Sequence, residues 1–187
     1  MANGSTDYDL LCRMAQGDES AFAALYSKFQ GPIFRYALHM TANAHIAEDI
    51  TQETFLQIIR DPHGYQPSRG AIGAYLFGIA RHLALRSMNP AETQLPEDPE
   101  ALFAARLAPD DDTLTGILRA EEIQALRQAV QALPAPYREA VILCDMEEMS
   151  YADAAALLQC SAGTVASRLH RARALLATRL RRKECPT

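Results

Sequence analysis

Apolar residues recur at intervals of three and four along most of the chain, and alternating Val/Ile/Thr runs do not occur. That pattern predicts helices and no sheet. In the first half, Asp18 or Ser20 can start a helix through AFAALYSKF. Gly31-Pro32 predicts a break and restart, because proline inside a helix removes a hydrogen bond, and IFRYALHM follows. Asn43 is placed to cap a helix over Ala44–Arg60, which Asp61-Pro62 stops. HGYQPSRG reads as a loop from its glycine and proline content. A further helix runs from about Ala71 to Met88, ended by Asn89-Pro90.

The second half repeats the helical pattern over about Leu118–Ala132, Pro136–Glu147, Ser150–Gln159 and Gly163–Arg182. Pro136 suits the first turn of its helix. Ser150 with Asp153 three residues on resembles a capping box. Between the halves the character changes. NPAETQLPEDPE and APDDDTLTG are rich in Pro, Asp and Glu, as in a flexible acidic linker, with room for a short helix at EALFAARL. The predicted fold is therefore all-α: two small helical domains, residues 1–90 and 118–187, joined by a flexible acidic linker over 91–117.

Composition narrows the classes. With 187 residues, 49% of them apolar, the chain can bury a core. No apolar run approaches the roughly 18–20 residues of a membrane span. MANGSTDYDLL has neither a basic nor an apolar leader segment, so a cytoplasmic chain without membrane insertion is expected. Cys12, Cys144, Cys160 and Cys185 lie far apart, and the five histidines do not cluster with them. No disulfide scaffold, metal site or cofactor is expected from that spacing. The net charge of −5 is unevenly spread. Residues 1–90 hold seven bases and eight acids, 91–122 two and nine, 123–160 two and five, and 161–187 seven and one. A cationic end on an acidic chain points to a local polyanion site, not to a protein that coats nucleic acid.

That cationic end has the mechanics of a DNA reader. At about 100° per residue, with Val165 at zero, Leu169, Ala172 and Leu176 fall near about 40°, −20° and 20° and form one apolar stripe. Ser167, His170 and Arg171 lie opposite; Arg168 and Arg173 flank the stripe. A short helix, YADAAALLQ, and a turn containing Gly163 precede it, which is the helix-turn-helix pattern. Such a helix fits the major groove, where Arg can pair with phosphate or guanine. Its N-terminal amides, with Thr164 and Ser167, suit a phosphate. A solvated amphipathic helix with a basic face has the same spacing.

The first half carries a different signal. In IAEDITQETFLQIIR, Ile46, Ile50 and Ile58, with Phe55 and Ile59 beside them, form an inward face. Asp49, Gln52, Glu53 and Leu56 gather elsewhere, and a leucine amid acids and an amide suits a partner helix. Apart from His45, four residues before Asp49, no histidine or nucleophile joins these carboxylates at that spacing, so catalysis is not expected. GAYLFGIARHLALR mixes Tyr75 and Phe77 with Arg81, His82 and Arg86. Interleaved rings and bases can stack on single-stranded DNA; alternatively Tyr75, Ile79 and Leu83 are plain core.

Taken together, these segments resemble the sigma-70 family of bacterial transcription initiation factors, in the short form of its extracytoplasmic-function (ECF) group. AFAALYSKFQGPIFRYALHMTANAHIAEDITQETFLQIIR is similar to the start of conserved region 2, and GAIGAYLFGIARHLALR to its promoter-melting end. LPAPYREAVILCDMEEMSYADAAALLQCSAGTVASRLHRARALL is similar to region 4. The resemblance spans roughly two-thirds of the chain, and D-x-x-Q-E-T-F at Asp49–Phe55 and the region 4 string are its most specific parts.

The resemblance implies binding without chemistry. Asp49, Gln52, Glu53 and Leu56 would face the β′ clamp of core RNA polymerase. Ser68, Arg69 and Gly70 would help capture a flipped base of the −10 element, with His82 and Arg86 beside the melted strand. Thr164, Ser167, Arg168, His170, Arg171 and Arg173 would address −35 duplex DNA. Region 4 would also seat on the β flap, the linker would thread toward the RNA exit path, and an anti-sigma factor is an expected partner. Departures from the family's habit are Tyr75 where Trp is frequent, His82 where Asn is frequent, Ala166 where a base is frequent, and the base-poor ALRSMNP. The rivals are a stand-alone helix-turn-helix regulator and a sigma-mimicking interaction protein.

Overall fold

The computed structural model describes residues 6–88 and 118–184. The acidic linker and the short helix at EALFAARL lie outside the described residues. The chain divides into two compact units, Met1–Ser87 and Met88–Thr187. Every regular element among the described residues is helical.

The first unit opens with α1, Asp7–Ala15, a helix beyond those predicted above, although Tyr8, Leu11, Cys12 and Ala15 keep helical spacing. Its start is set locally. Thr6 Oγ1 accepts the Asp9 amide at 3.2 Å, and the Asp9 carboxylate accepts the Thr6 amide at 2.9 Å, so two otherwise unpaired donors are satisfied reciprocally. Asp18 caps α2, accepting the amides of Ser20 (2.9 Å) and Ala21 (3.2 Å), while Arg13 donates to its other oxygen.

Helix α2 runs without interruption over Glu19–Thr41 and contains Pro32, where the sequence predicts a break. The missing amide bond costs about 3 kcal/mol. Leu25, Ile33, Tyr36, Ala37 and Met40, on either side of it, are all buried. At about 1.5–3 kcal/mol per large apolar side chain, that burial outweighs the lost bond. Helix α3 spans Ala44–Arg60, as predicted, with Asn43 Oδ1 accepting the Ile46 amide. A one-turn 3-10 segment, Pro67–Arg69, interrupts the loop before α4, Ile72–Ser87. Helix α2 packs against α1, α3 and α4, and α3 against α4. Phe55 meets Tyr26 and Phe22, and Phe77 meets Tyr36 edge-on at 5.7 Å.

The second unit holds α5 (Leu118–Ala132), α6 (Ala135–Val141), α7 (Tyr151–Leu158) and α8 (Ala162–Glu184). The helix predicted over 136–147 is instead α6 followed by a wide π turn, Ile142–Met146. The turn closes through the Glu147 amide on Ile142 O and the Met149 amide on Leu143 O, with Glu148 left-handed at φ 53°. Arg138 is buried and donates to the carbonyls of Gln131 and Leu133, so the end of α5 is satisfied by a charged side chain. The core joins Val130, Leu133, Tyr137 and Val141 to Leu169, Ala172 and Leu176 of α8.

Candidate polymerase and nucleic-acid interfaces

Helix α3 presents two unlike faces. Ile50, Phe55 and Ile58 are buried, together with Thr51 and Thr54, whose hydroxyls donate back to the carbonyls of Ala47 and Ile50. Asp49 and Gln52 are exposed, Leu56 is 42% exposed, and Glu53 is half-buried in an ion pair with Arg60 at 2.9 Å. Ile59, expected beside the inward face, is 48% exposed. The reason is angular: Gln52, Leu56 and Ile59 follow an i, i+4, i+7 spacing and share one stripe. The outward surface is thus an apolar pair, Leu56 and Ile59, bordered by acids and an amide.

The loop between α3 and α4 carries the second set. Ser68 and Gly70 are exposed, and Arg69 closes the 3-10 turn. Gly70 sits at φ 119°, ψ −172°, a backbone region open essentially only to glycine. Its amide donates to Pro67 O at 3.3 Å, and its carbonyl accepts the Tyr65 hydroxyl at 2.7 Å. His82 and Arg86 are exposed one turn apart on α4, roughly 15 and 21 Å along the axis from Ile72 at 1.5 Å per residue. The loop triplet and this pair therefore lie toward opposite ends of α4.

The buried face of α4 is Ile72, Leu76, Phe77, Ala80 and Ala84. Tyr75, Ile79 and Leu83, read above as possible plain core, are only half-buried. Phe77, read as a stacking candidate, is 5% exposed and taken up by Tyr36. Tyr75 faces Tyr65 instead, with ring centroids 5.7 Å apart. Burial, with Asp61 nearby, pushes the Tyr75 hydroxyl up from its ordinary value, so it stays protonated.

In the second unit Ser150 caps α7, accepting the Asp153 amide at 3.1 Å, and Gln159 ends the helix left-handed at φ 53°. Ser161 Oγ then accepts the Thr164 amide at 3.0 Å and lies 2.9 Å from the Thr164 hydroxyl, fixing the start of α8. Val165, Leu169, Ala172 and Leu176 are buried as the stripe predicts. Ser167, His170 and Arg171 face solvent, while Thr164 and Arg168 are half-buried. The Ser167 hydroxyl donates to Thr164 O at 3.0 Å.

Two arginines differ from the sequence picture. Arg171 Nη1 reaches the Tyr137 hydroxyl at 3.5 Å, and Arg173 is held by the Asp145 carboxylate. Both hydrogen bonds, and the Asp145 charge, raise these guanidinium pKa values further. Tyr137 and Asp145 carry no helix-turn-helix signal of their own; only packing brings them to α8. Cys12, Cys144 and Cys160 are unpaired and half-buried, and burial next to Asp145 pushes the Cys144 thiol up, away from the reactive thiolate.

This architecture defines an all-helical protein of two modules, one with a helix whose outward face carries the exposed pair Leu56 and Ile59 and one built as a helix-turn-helix. Residues 25–90 match Sigma-70 region 2, and residues 123–176 match Sigma-70, region 4. The chain is 31% identical over 180 residues to the RNA polymerase sigma-H factor of Pseudomonas aeruginosa, covering 92% of this chain and 93% of that one. It is 35% identical to the ECF RNA polymerase sigma factor SigE of Mycolicibacterium smegmatis over 166 residues, 85% of this chain and 62% of that relative. In fold it is similar to the sigma factor RpoE of Bartonella quintana, solved in complex with the anti-sigma factor NepR, with a TM-score of 0.65, 23% identity, and 86% and 96% of the two chains covered. The chain belongs to the sigma-70 family of transcription initiation factors, in its ECF group.

Proposed function

We propose that this chain is a promoter-specificity subunit that docks on core RNA polymerase and directs initiation at defined promoters. The observation that carries the reading is the pairing, in one chain of this family, of an outward Leu56–Ile59 stripe edged by Asp49, Gln52 and Glu53 with a capped helix-turn-helix whose Ser167, His170 and Arg171 face solvent. The α3 stripe binds the β′ clamp. Ser68, Arg69 and Gly70 receive a flipped −10 base, and His82 and Arg86 lie along the melted strand. Thr164, Ser167, Arg168, His170 and Arg171 read −35 duplex DNA, with Arg173 holding the helix in place, and the second module seats on the β flap.

Mechanistically the protein binds and the polymerase performs phosphoryl transfer, so the chain is no enzyme. Flipping a base costs a few kcal/mol, and a pocket that accepts only one base couples recognition to strand opening. The net charge of −5 opposes phosphate contact by the free chain. Promoter binding therefore depends on core enzyme. The chain acts in the cytoplasm, and a helical anti-sigma factor that covers both modules restrains it; no helix among the described residues is long and apolar enough to cross a membrane.

Run-off transcription from a promoter library, with purified core polymerase, tests the reading. Defined start sites that appear only when the chain is added support it. Operator binding in a gel shift without core enzyme, and no start sites, would instead establish a stand-alone regulator. Core binding with no start sites would establish a sigma mimic.

A further inference from the structure

We infer that a column of three tyrosines, Tyr8, Tyr65 and Tyr75, sets the shape of the loop ending at Gly70 and makes α1 a positioning element for the unpaired base. The inference rests on the proposed role of Ser68–Gly70 and names residues outside that set.

The Tyr65 hydroxyl donates to Gly70 O at 2.7 Å, bridging across the 3-10 turn that contains Ser68 and Arg69. The turn is short, Pro67, Ser68 and Gly70 are exposed, and Gly70 holds a backbone conformation with no Cβ to brace it. A tie from a rigid ring across such a turn limits how far Ser68 and Gly70 can move. The ring is itself held between two others. Tyr75 of α4 stands 5.7 Å away on one side, and Tyr8 of α1 stands 6.1 Å away on the other, both inclined at 52°.

Gly64 makes this approach possible. A Cβ there would lie 2.7 Å from Asp61 Oδ2 and 2.9 Å from the Tyr75 hydroxyl, so any larger residue requires the Asp61 or Tyr75 side chain to shift. Helix α1 packs against α2, with Lys28 and Asp7 paired across the two at 2.5 Å, and Tyr8 stands in its first turn. Tyr8 remains 47% exposed. A ring so open contributes little to the core of its own unit. What it supplies is a wall for Tyr65, at an aromatic spacing with its own preferred geometry. Tyr8, Tyr65 and Tyr75 are positioning residues: they act on the base through the loop.

The test uses the full chain bound to core polymerase. The probes are single-stranded DNA oligonucleotides covering the non-template −10 segment of a promoter found by run-off transcription, with either the native base or an abasic site at each position in turn. The readout is the ratio of affinities, intact over abasic, beside −35 duplex affinity and thermal stability. Tyr65→Phe removes one hydroxyl and keeps the ring column; it should lower the ratio about two- to tenfold, the span of one hydrogen bond. Its −35 duplex affinity should be unchanged. Tyr8→Ala should lower the ratio in the same direction, and Tyr8→Phe should restore it.

Ratios at the wild-type value for both Tyr65→Phe and Tyr8→Ala overturn the inference, as does a Tyr8→Ala loss shared equally by the abasic strands. Where Tyr8→Ala fails to fold, Tyr65→Phe alone decides. A wild-type ratio of one at every position removes the base-capture reading itself, and this inference with it.

Discussion

Arg173 of α8 donates from Nε and one Nη to the two carboxylate oxygens of Asp145, at 3.1 and 2.5 Å, and so ties the second helix of the helix-turn-helix to the π turn behind it. Arg171, two residues earlier, has among the described residues a neutral hydroxyl partner, Tyr137, at 3.5 Å. Both guanidiniums stay charged, but the Arg173 charge is balanced by a carboxylate within its own unit and the Arg171 charge is not balanced by any described carboxylate.

That difference predicts unequal salt effects. For −35 duplex binding by the holoenzyme, Arg171→Ala should reduce the slope of log affinity against log salt by about one if Arg171 contacts a phosphate. If Arg171 reads a base instead, affinity should fall roughly tenfold or more, selectively for the matched sequence. Arg173→Ala should leave the slope unchanged. A full unit lost with Arg173→Ala would mean that its ion pair opens on DNA.

On α3, Ile59→Ala and the double change Gln52→Ala with Glu53→Ala should each weaken core polymerase binding without loss of fold. These side chains lie on the solvent side, and the Glu53–Arg60 pair is an exposed one of small value to stability. Fluorescence titration of core enzyme alongside thermal melting checks both halves. Undiminished affinity in both variants would move the docking face elsewhere.

Leu169→Ala and Ser167→Ala should part in the opposite sense. Leu169 is 1% exposed, and its truncation should destabilise the second unit by about 2–5 kcal/mol. Ser167 is exposed, so Ser167→Ala should leave denaturant unfolding nearly unchanged and alter only duplex binding. Equal effects of the two on unfolding would contradict the assigned helix orientation.

Asp18 predicts an acid limb in stability. Its carboxylate accepts from Ser20, Arg13 and the Ala21 amide, which hold its pKa well below the ordinary 3.8. A folded-state pKa below the unfolded one contributes stability that is present above the unfolded value and lost as pH falls toward the folded one. Wild-type stability should thus decline below about pH 4, and Asp18→Asn should flatten that decline while lowering stability at neutral pH. Melting curves between pH 2 and 7 measure it, and parallel acid limbs in the two proteins would refute the assignment.

Several features were legible along the chain because they are settled within a turn or two of backbone. Helix α3 begins and ends where Asn43 and Asp61-Pro62 place it, and α7 begins at the Ser150–Asp153 cap. The stripe of Val165, Leu169, Ala172 and Leu176 is buried as its spacing requires. Helix α1 was equally writable, because Thr6-x-x-Asp9 caps it and Tyr8, Leu11, Cys12 and Ala15 follow an i, i+3, i+4, i+7 spacing.

Local hydrogen bonding and a 3.6-residue repeat are properties of adjacent residues, so by itself the amino-acid order determined an all-helical chain, most helix limits, and which face of α8 turns inward. Tertiary packing alone decided that α2 continues through Pro32, that Ile59 turns outward, that α6 gives way to a π turn, and that Arg173 meets Asp145 and Tyr8 meets Tyr65. Those outcomes depend on how neighbouring helices fill space against one another, and no spacing along a single strand of sequence encodes a distance across a packed interior.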